Sequence, residues 1–241
     1  MSPPRRPALE YFGLSSFTLT DGETRLLVDP WVTDPDWTRA TVSDFADVDA
    51  IFVTHGAYDH LGDTVEIADT SGASVYTEPA VADHLVREGL PESQVDRVIW
   101  GNTLTAAGVG VRVVETRHLS YFESDGQRVS GMPLGFHFEL SQGSLYYVGD
   151  TSLFSDLELF VDVNAPDVVL LPVGSAPGDR APLPPRDAAI ATTWLSVDTV
   201  VPVHYVPGSD EVDQFRRELD RRRTGGGPSV VELSADERYE L

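Results

Sequence analysis

The chain contains no cysteine and no lysine. Without cysteine there is no disulfide, no thiolate nucleophile and no sulfur ligand, so any metal must be held by histidine and carboxylate side chains. All 17 basic residues are arginine; against 39 Asp and Glu they leave a net charge of −22 over 241 residues. A surface of that sign repels nucleic acid and anionic lipid, and neither is expected as a partner. No apolar run is long enough to span a bilayer. The opening Met1-Ser2-Pro3-Pro4-Arg5-Arg6-Pro7 is followed by no hydrophobic segment, which argues against a secretory leader and a twin-arginine signal. A cytoplasmic protein acting on a small-molecule substrate is expected, with a homo-oligomer left open. The acidity is similar to that of proteins from high-salt cytoplasm, where ions screen self-repulsion. A GC-rich genome also favours Arg over Lys; the halophilic reading is preferred.

Length and organisation fit one α/β domain over residues 1–241. Residues 8–54 read as strands, with Asp21-Gly22 turning a hairpin between Phe17-Thr18-Leu19 and Leu26-Leu27-Val28. A short helix is expected over 64–69, capped by Asp63 or Thr64, then a strand at 75–77. Pro79 opens a helix that Gly89 stops. Strands follow at 109–116, 134–140 and 144–148, the last two as a hairpin around Gln142-Gly143. The almost wholly apolar runs 167–173 and 198–203 read as strands buried on both faces. Helices are expected at 185–195 and 210–223, the latter with Val212, Phe215 and Leu219 on one stripe. A final strand is expected at 229–233, and the Pro/Gly-rich 172–185 segment reads as an active-site rim. Strands mixed with helices in this order fit a sheet sandwich flanked by helices.

Two histidines and an aspartate stand within Thr54-His55-Gly56-Ala57-Tyr58-Asp59-His60-Leu61-Gly62, directly after the apolar Ala50-Ile51-Phe52-Val53. Gly56 and Gly62 let such a loop turn tightly so that side chains converge. Three further ligand-type residues each follow an apolar run: His118 after Val113-Val114-Glu115-Thr116, Asp150 after Tyr146-Tyr147-Val148-Gly149, and His204 after Val200-Val201-Pro202-Val203. Singly, each also reads as a structural residue, and Asp150 as a helix cap. Together they match the tendency of α/β proteins to gather ligands at strand ends. His84 reads as a solvated helix residue. His137 alternates with Phe136 and Phe138, which puts it opposite the apolar face of its strand. Asp29 and Asp63 are candidate acceptors for ligand histidines, or turn residues.

The series His55, Ala57, Asp59, His60, His118, Asp150 and His204 resembles the His-x-His-x-Asp-His signature, distant His, bridging Asp and final His of the metallo-β-lactamase superfamily of metal-dependent hydrolases. Its ascorbate-phosphate-lactonase-like and N-acyl-phosphatidylethanolamine-phospholipase-D-like branch is the most similar. Tyr11-Phe12-Gly13-Leu14-Ser15-Ser16-Phe17 and Leu26-Leu27-Val28-Asp29-Pro30-Trp31 look like the family's opening strands. The resemblance implies a four-layer αβ/βα sandwich and two metal positions. Asp59, His60 and His204 serve one and His55 and His118 the other, with Asp150 shared. Ala57 stands where the second signature histidine belongs, and Leu14 where that branch often has His. One or two Zn²⁺ are implied; Mn²⁺ or Fe would accept the same donors.

The implied activity is hydrolysis of an ester, lactone or phosphoester by a metal-activated water, with Asp150, His118 and His55 as catalytic candidates. Ala57 supports the alternative, a binding or regulatory member of the fold that has lost catalysis. A metal-free structural protein has the least support. The charge reading carries its own test: the melting temperature should rise from dilute buffer to molar KCl as screening relieves self-repulsion. A flat response in a thermal-shift series would favour genome composition.

Overall fold

A computed structural model describes residues 6–223 and 225–241; the expectation about residues 1–5 lies outside them. The first half of the chain forms β1 (Ala8–Gly13), β2 (Ser16–Asp21), β3 (Thr24–Val28), β4 (Ala50–Val53), α1 (Tyr58–Leu61), α2 (Thr64–Ser71), β5 (Ser74–Thr77), α3 (Pro79–Arg87), β6 (Val95–Arg97), β7 (Thr103–Ala106) and β8 (Val109–Glu115). The rest forms β9 (Ser120–Ser124), β10 (Gln127–Gly131), β11 (Leu134–Glu139), β12 (Ser144–Tyr147), α4 (Asp156–Asn164), β13 (Val168–Pro172), α5 (Pro185–Trp194), β14 (Thr199–Val203), α6 (Glu211–Asp220), β15 (Ser229–Val230) and β16 (Glu237–Glu240).

Two seven-stranded sheets have the orders β16-β1-β2-β3-β4-β5-β6 and β15-β14-β13-β12-β11-β8-β7, and β9-β10 forms a separate ribbon. Period-two alternation explains why their central strands are apolar throughout. In β4, Ala50 and Phe52 enter the core between the sheets, whereas Ile51 and Val53 meet the packing of α2 and α3. In β13, Val168 and Leu170 face inward, while Val169 and Leu171 join α4, α5 and α6. Helices thus cover both outer faces, in the order helix, sheet, sheet, helix. The sheets meet at Phe52, whose ring lies edge-on to Phe136 and Phe138 at 5.1 and 5.2 Å.

β3 to β6 run parallel to one another, as do β12 to β15. β8 and β12 are both antiparallel to β11 and so share a direction. The chain therefore leaves β8, β12 and β14 at one end of the second sheet, which is where His118, Asp150 and His204 follow.

Several elements differ from expectation. The last strand is β16, not 229–233, of which only Ser229–Val230 is strand. β16 carries Glu-Arg-Tyr-Glu and reads as polar coil, but it lies on an edge, where one neighbour suffices and charge is favoured. α4 was unforeseen because only Leu157 and Val161 anchor it. The β9-β10 ribbon alternates buried Ser120, Phe122 and Ser124 with exposed Tyr121 and Glu123, so its buried face is mostly polar. Asp63 stands at the N-cap of α2, but its carboxylate does not cap; it accepts from Val32 N, at 2.8 Å, and from Thr33.

Among the described residues, no helix is long and apolar enough to cross a membrane. Phe136 is fully buried at the sheet–sheet contact. Phe136→Ala should therefore lower unfolding stability in urea by about 3–5 kcal/mol; a loss under about 1 kcal/mol would mean the site collapses to fill the cavity.

Candidate metal centre

β4 ends at Val53 and delivers Thr54 and His55 to the site. Ala57 adopts extended geometry (φ −67°, ψ 149°) and precedes the single turn α1, which carries Asp59 and His60. Gly62, at φ 36°, closes that turn against Pro30, whose carbonyl oxygen a Cβ would approach to 2.4 Å. Gly56 serves close approach: a Cβ there would lie 2.1 Å from the Phe122 ring. The sharp turn after β14 puts His204 at φ 54°, a strained conformation for a non-glycine residue, held by its N–H donating to Leu14 O at 2.6 Å.

All six candidate ligands converge, in two groups. His55, His118 and Asp150 place one donor atom each within 4.8 Å of one another, as do Asp59, His60 and His204. Asp150 joins the groups: its Oδ2 lies 3.0 Å from His204 Nε2, 3.6 Å from His60 Nε2 and 3.8 Å from His118 Nε2. Asp59 Oδ2 lies 3.5 and 3.8 Å from His204 Nε2 and His60 Nε2.

Three of the four rings are turned inward by hydrogen bonds at Nδ1. His60 Nδ1–H donates to Asp29 Oδ2 at 2.8 Å and His204 Nδ1–H to Gly174 O at 3.2 Å. The Thr54 hydroxyl donates to Asp29 (2.9 Å) and lies 3.0 Å from His55 Nδ1, from which it can accept. His118 has no ring hydrogen bond among the described residues, and about a third of its side chain is open. Asp29 is fully buried and also accepts from Thr54 N and Tyr147 Oη at 2.7 Å each.

This donor set fits a divalent cation. His55 Nε2, His60 Nε2, His204 Nε2 and Asp150 Oδ1 are buried without a hydrogen-bond partner among the described residues. A buried polar atom left unpaired costs about 1–3 kcal/mol, a cost that a bound cation would offset here. Donors held 2.0–2.2 Å from a tetrahedral metal lie roughly 3.3–3.6 Å apart, inside the observed 3.0–3.8 Å spread.

Protonation divides the cluster in the metal-free chain. Burial alone would lower His60 and His204, but the surrounding carboxylates prevail. Asp29, Asp150 and Asp59 hold His60 well above its usual value, and Asp150 and Asp59 push His204 up to about 10. Burial, reinforced by the His60 charge, drives His55 well below its ordinary value. His118 is also lowered, chiefly by burial. Asp150 would be raised by burial, yet the His204 and His60 charges depress it strongly.

The centre forms the floor of a cleft of about 860 Å³. Leu119, Tyr121 and Phe122 line one wall; Ala57 and Tyr58 border the floor. Ala176, Gly178, Asp179, Arg180 and Pro182 of the 172–185 segment form the rim.

Of the two candidate orienting carboxylates, Asp29 touches a candidate ligand, His60. Asp63 is a turn residue bound to the 32–33 backbone. His84 is half-buried rather than solvated: its Nδ1 lies 3.0 Å from Ser124 Oγ and its ring packs on Phe122. His137 lies opposite the core-facing Phe136 and Phe138, but that face is covered too, and only 3% of the residue is exposed. Thr54 and Tyr147 also belong to the site. A threonine beside the cluster was a visible signal; a tyrosine ending an apolar run reads as core.

Residues 24–205 match the beta-lactamase superfamily domain. A UPF0173 metal-dependent hydrolase of Rubrobacter xylanophilus is 34% identical over 221 residues, covering 88% of this chain and 89% of that protein. One from Methanosphaera stadtmanae is 32% identical over 238 residues, covering 96% and 98%. The structure of a metallo hydrolase from the archaeon Ignicoccus hospitalis superposes with a TM-score of 0.80 at 26% identity, covering 98% of this chain and all of that one. The chain belongs to the beta-lactamase superfamily and, within it, to the UPF0173 metal-dependent hydrolases.

A pH dependence follows from His204. Its pKa is near 6.5 when unfolded and about 10 in the folded, metal-free chain. The stabilisation it contributes is complete below pH 6.5 and lost as pH rises through 10. Chelator-stripped protein should therefore lose melting temperature between pH 6.5 and 10. Over the same interval Zn²⁺ affinity, measured by chelator competition, should climb as the competing proton leaves. An affinity independent of pH would contradict the assignment of His204 as a ligand.

Proposed function

We propose that the chain is a hydrolase whose principal metal is held by Asp59, His60, Asp150 and His204. His55, His118 and Asp150 form a weaker second position that lacks a donor at Ala57. The convergence of four orphaned buried donor atoms on the floor of an open cleft carries this reading. The nitrogen and oxygen donors suit Zn²⁺, and also Mn²⁺ or Fe. When bound, such an ion supplies Lewis-acid polarisation of a substrate oxygen and a water acidified to a pKa near 7.

The substrate class that fits is an ester, lactone or phosphoester. Asp29 and Gly174 O fix the ligand rings so that their Nε2 atoms point inward without reorganisation. His118, neutral at pH 7 and open to the cleft, is the group able to take a proton from water or return one to the leaving oxygen. Leu119, Tyr121 and Phe122 exclude water from one side. Arg180, with no carboxylate within ion-pair distance among the described residues, can meet an anionic substituent on the substrate at the rim. Ala57 favours a second reading, a binding member of the family with impaired catalysis.

Protein purified without added metal should carry close to one transition-metal ion per chain by elemental analysis, and His60→Ala or His204→Ala should remove it. Ala57→His should raise affinity for a second ion by about tenfold or more, since even partners behind the ligands are worth ~10–100-fold. A panel of carboxylic esters, lactones and phosphodiesters, run with and without chelator, separates the readings. Chelator-sensitive turnover by the wild type supports the hydrolase; turnover only in Ala57→His supports the binding member. Two tightly held ions in the wild type would refute the weak second position.

A further inference from the structure

We propose that Glu78 and Ser120 are positioning residues that hold the His55 loop and the His118 segment together across the weaker metal position. This rests on the metal reading given above. Glu78 is 1% exposed and Ser120 fully buried. The Gly56 N–H donates to Ser120 Oγ at 3.1 Å, and the Ser120 hydroxyl donates to Glu78 Oε1 at 2.8 Å. A serine hydroxyl has one proton, so the direction of this chain is set: Gly56 amide to Ser120 to Glu78. Such chains polarise and strengthen one another in a dry interior.

Helix capping accounts for only half of Glu78. Its Oε2 accepts from Ala80 N at 2.8 Å at the start of α3, which is the capping bond. A cap needs one oxygen and is satisfied by a short exposed side chain. Here the second oxygen is carried to Ser120 at the cost of burying a carboxylate, and burial raises its pKa. No arginine lies within ion-pair distance of Glu78 among the described residues; amides at the helix start and that of Met132 offset the burial instead. The packing leaves no slack: Gly131 pairs with Ser120 across the ribbon, and a Cβ on it would lie 2.0 Å from Glu78 Oε1.

The anchored atoms are the ones the second position needs. Gly56 joins His55 to Ala57, and Ser120 is two residues beyond His118. His55, His60 and His204 each have a ring hydrogen bond, whereas His118 has none among the described residues. With no donor at Ala57, this position depends on His55, His118 and Asp150, and the His118 backbone is tied to the His55 loop through Ser120.

The test uses the full chain and Zn²⁺, in the wild type and in the Ala57→His background, where the second position is complete. In metal-stripped protein, Ser120→Ala should speed hydrogen exchange at the Gly56 amide tenfold or more. In Zn²⁺ titrations against a chelator it should weaken the second equivalent by about tenfold or more while sparing the first. Glu78→Gln, whose single amide oxygen can accept from Ser120 while its NH2 faces the Ala80 amide, should lose the α3 cap yet keep Gly56 exchange and the second equivalent closer to the unsubstituted protein than Ser120→Ala does. If Ser120→Ala does not fold, Glu78→Ala is read the same way, because it leaves the hydroxyl in place without its acceptor. Unchanged Gly56 exchange, an unchanged second equivalent, or equal weakening of both equivalents would overturn the proposal. A chain that binds no Zn²⁺ in either background would instead sink the hydrolase reading, with the exchange result still deciding the role of the pair.

Discussion

The site depends on one buried carboxylate. Asp29 leaves the end of β3 at φ 46° and is satisfied by Thr54 N, the Thr54 hydroxyl, His60 Nδ1 and Tyr147 Oη. Thr54 and His60 follow β4 of the same sheet, but Tyr147 belongs to β12 of the other. Asp29 therefore pins the two sheets to each other at the point where their strand ends meet. It also fixes the ring of His60, a candidate ligand. An unpaired charge there would be severely destabilising, so the sheets and the ligand loop have one shared way of satisfying it.

The two halves of the centre are built to different standards. Asp59, His60 and His204 are nearly inaccessible, and both rings are locked from behind by an oxygen acceptor. The other half has His118, open to the cleft and without a ring hydrogen bond among the described residues, and Ala57, which contributes no donor. Rigid ligands favour tight metal binding, whereas an open and adjustable histidine favours contact with substrate or moving protons. In the proposed reading, the missing donor at Ala57 thus falls on the half with the open histidine. Strain at His204 fits the same division, because a non-glycine residue at positive φ persists only where the surroundings over-determine it.

The outward charge and the interior charge follow separate rules. Acidic side chains dominate the surface composition, but in the centre carboxylates and imidazoles are interleaved at 3.0–3.8 Å, so Asp150, His60 and His204 keep one another ionised while burial holds His55 neutral. Salt screens the first over about 8–10 Å and scarcely reaches the second.

Local patterning was enough to identify much of this protein. Strands buried on both faces announce themselves as continuous apolar runs, and 167–173 and 198–203 became β13 and β14. His55, Asp59 and His60 were legible because three ligand types crowd one turn after such a run, and the order of His118, Asp150 and His204 extended them into a known signature. What composition could not reveal depends on partners distant in the chain. β16 is a strand because β1 has a free edge, and the polar β9-β10 ribbon is ordered by Gly56 and Glu78 beneath it. Asp29 and Asp63 looked alike in sequence; only the fold brings one to a histidine and the other to the 32–33 backbone. Tyr147 reads as core until the packing of two sheets sets its hydroxyl beside a carboxylate 118 residues away. The candidate ligands are a matter of side-chain type and local spacing, so the sequence alone could nominate them. Orientation, protonation and the division between a locked and an open half arise from contacts between separate layers, and only the tertiary structure decided them.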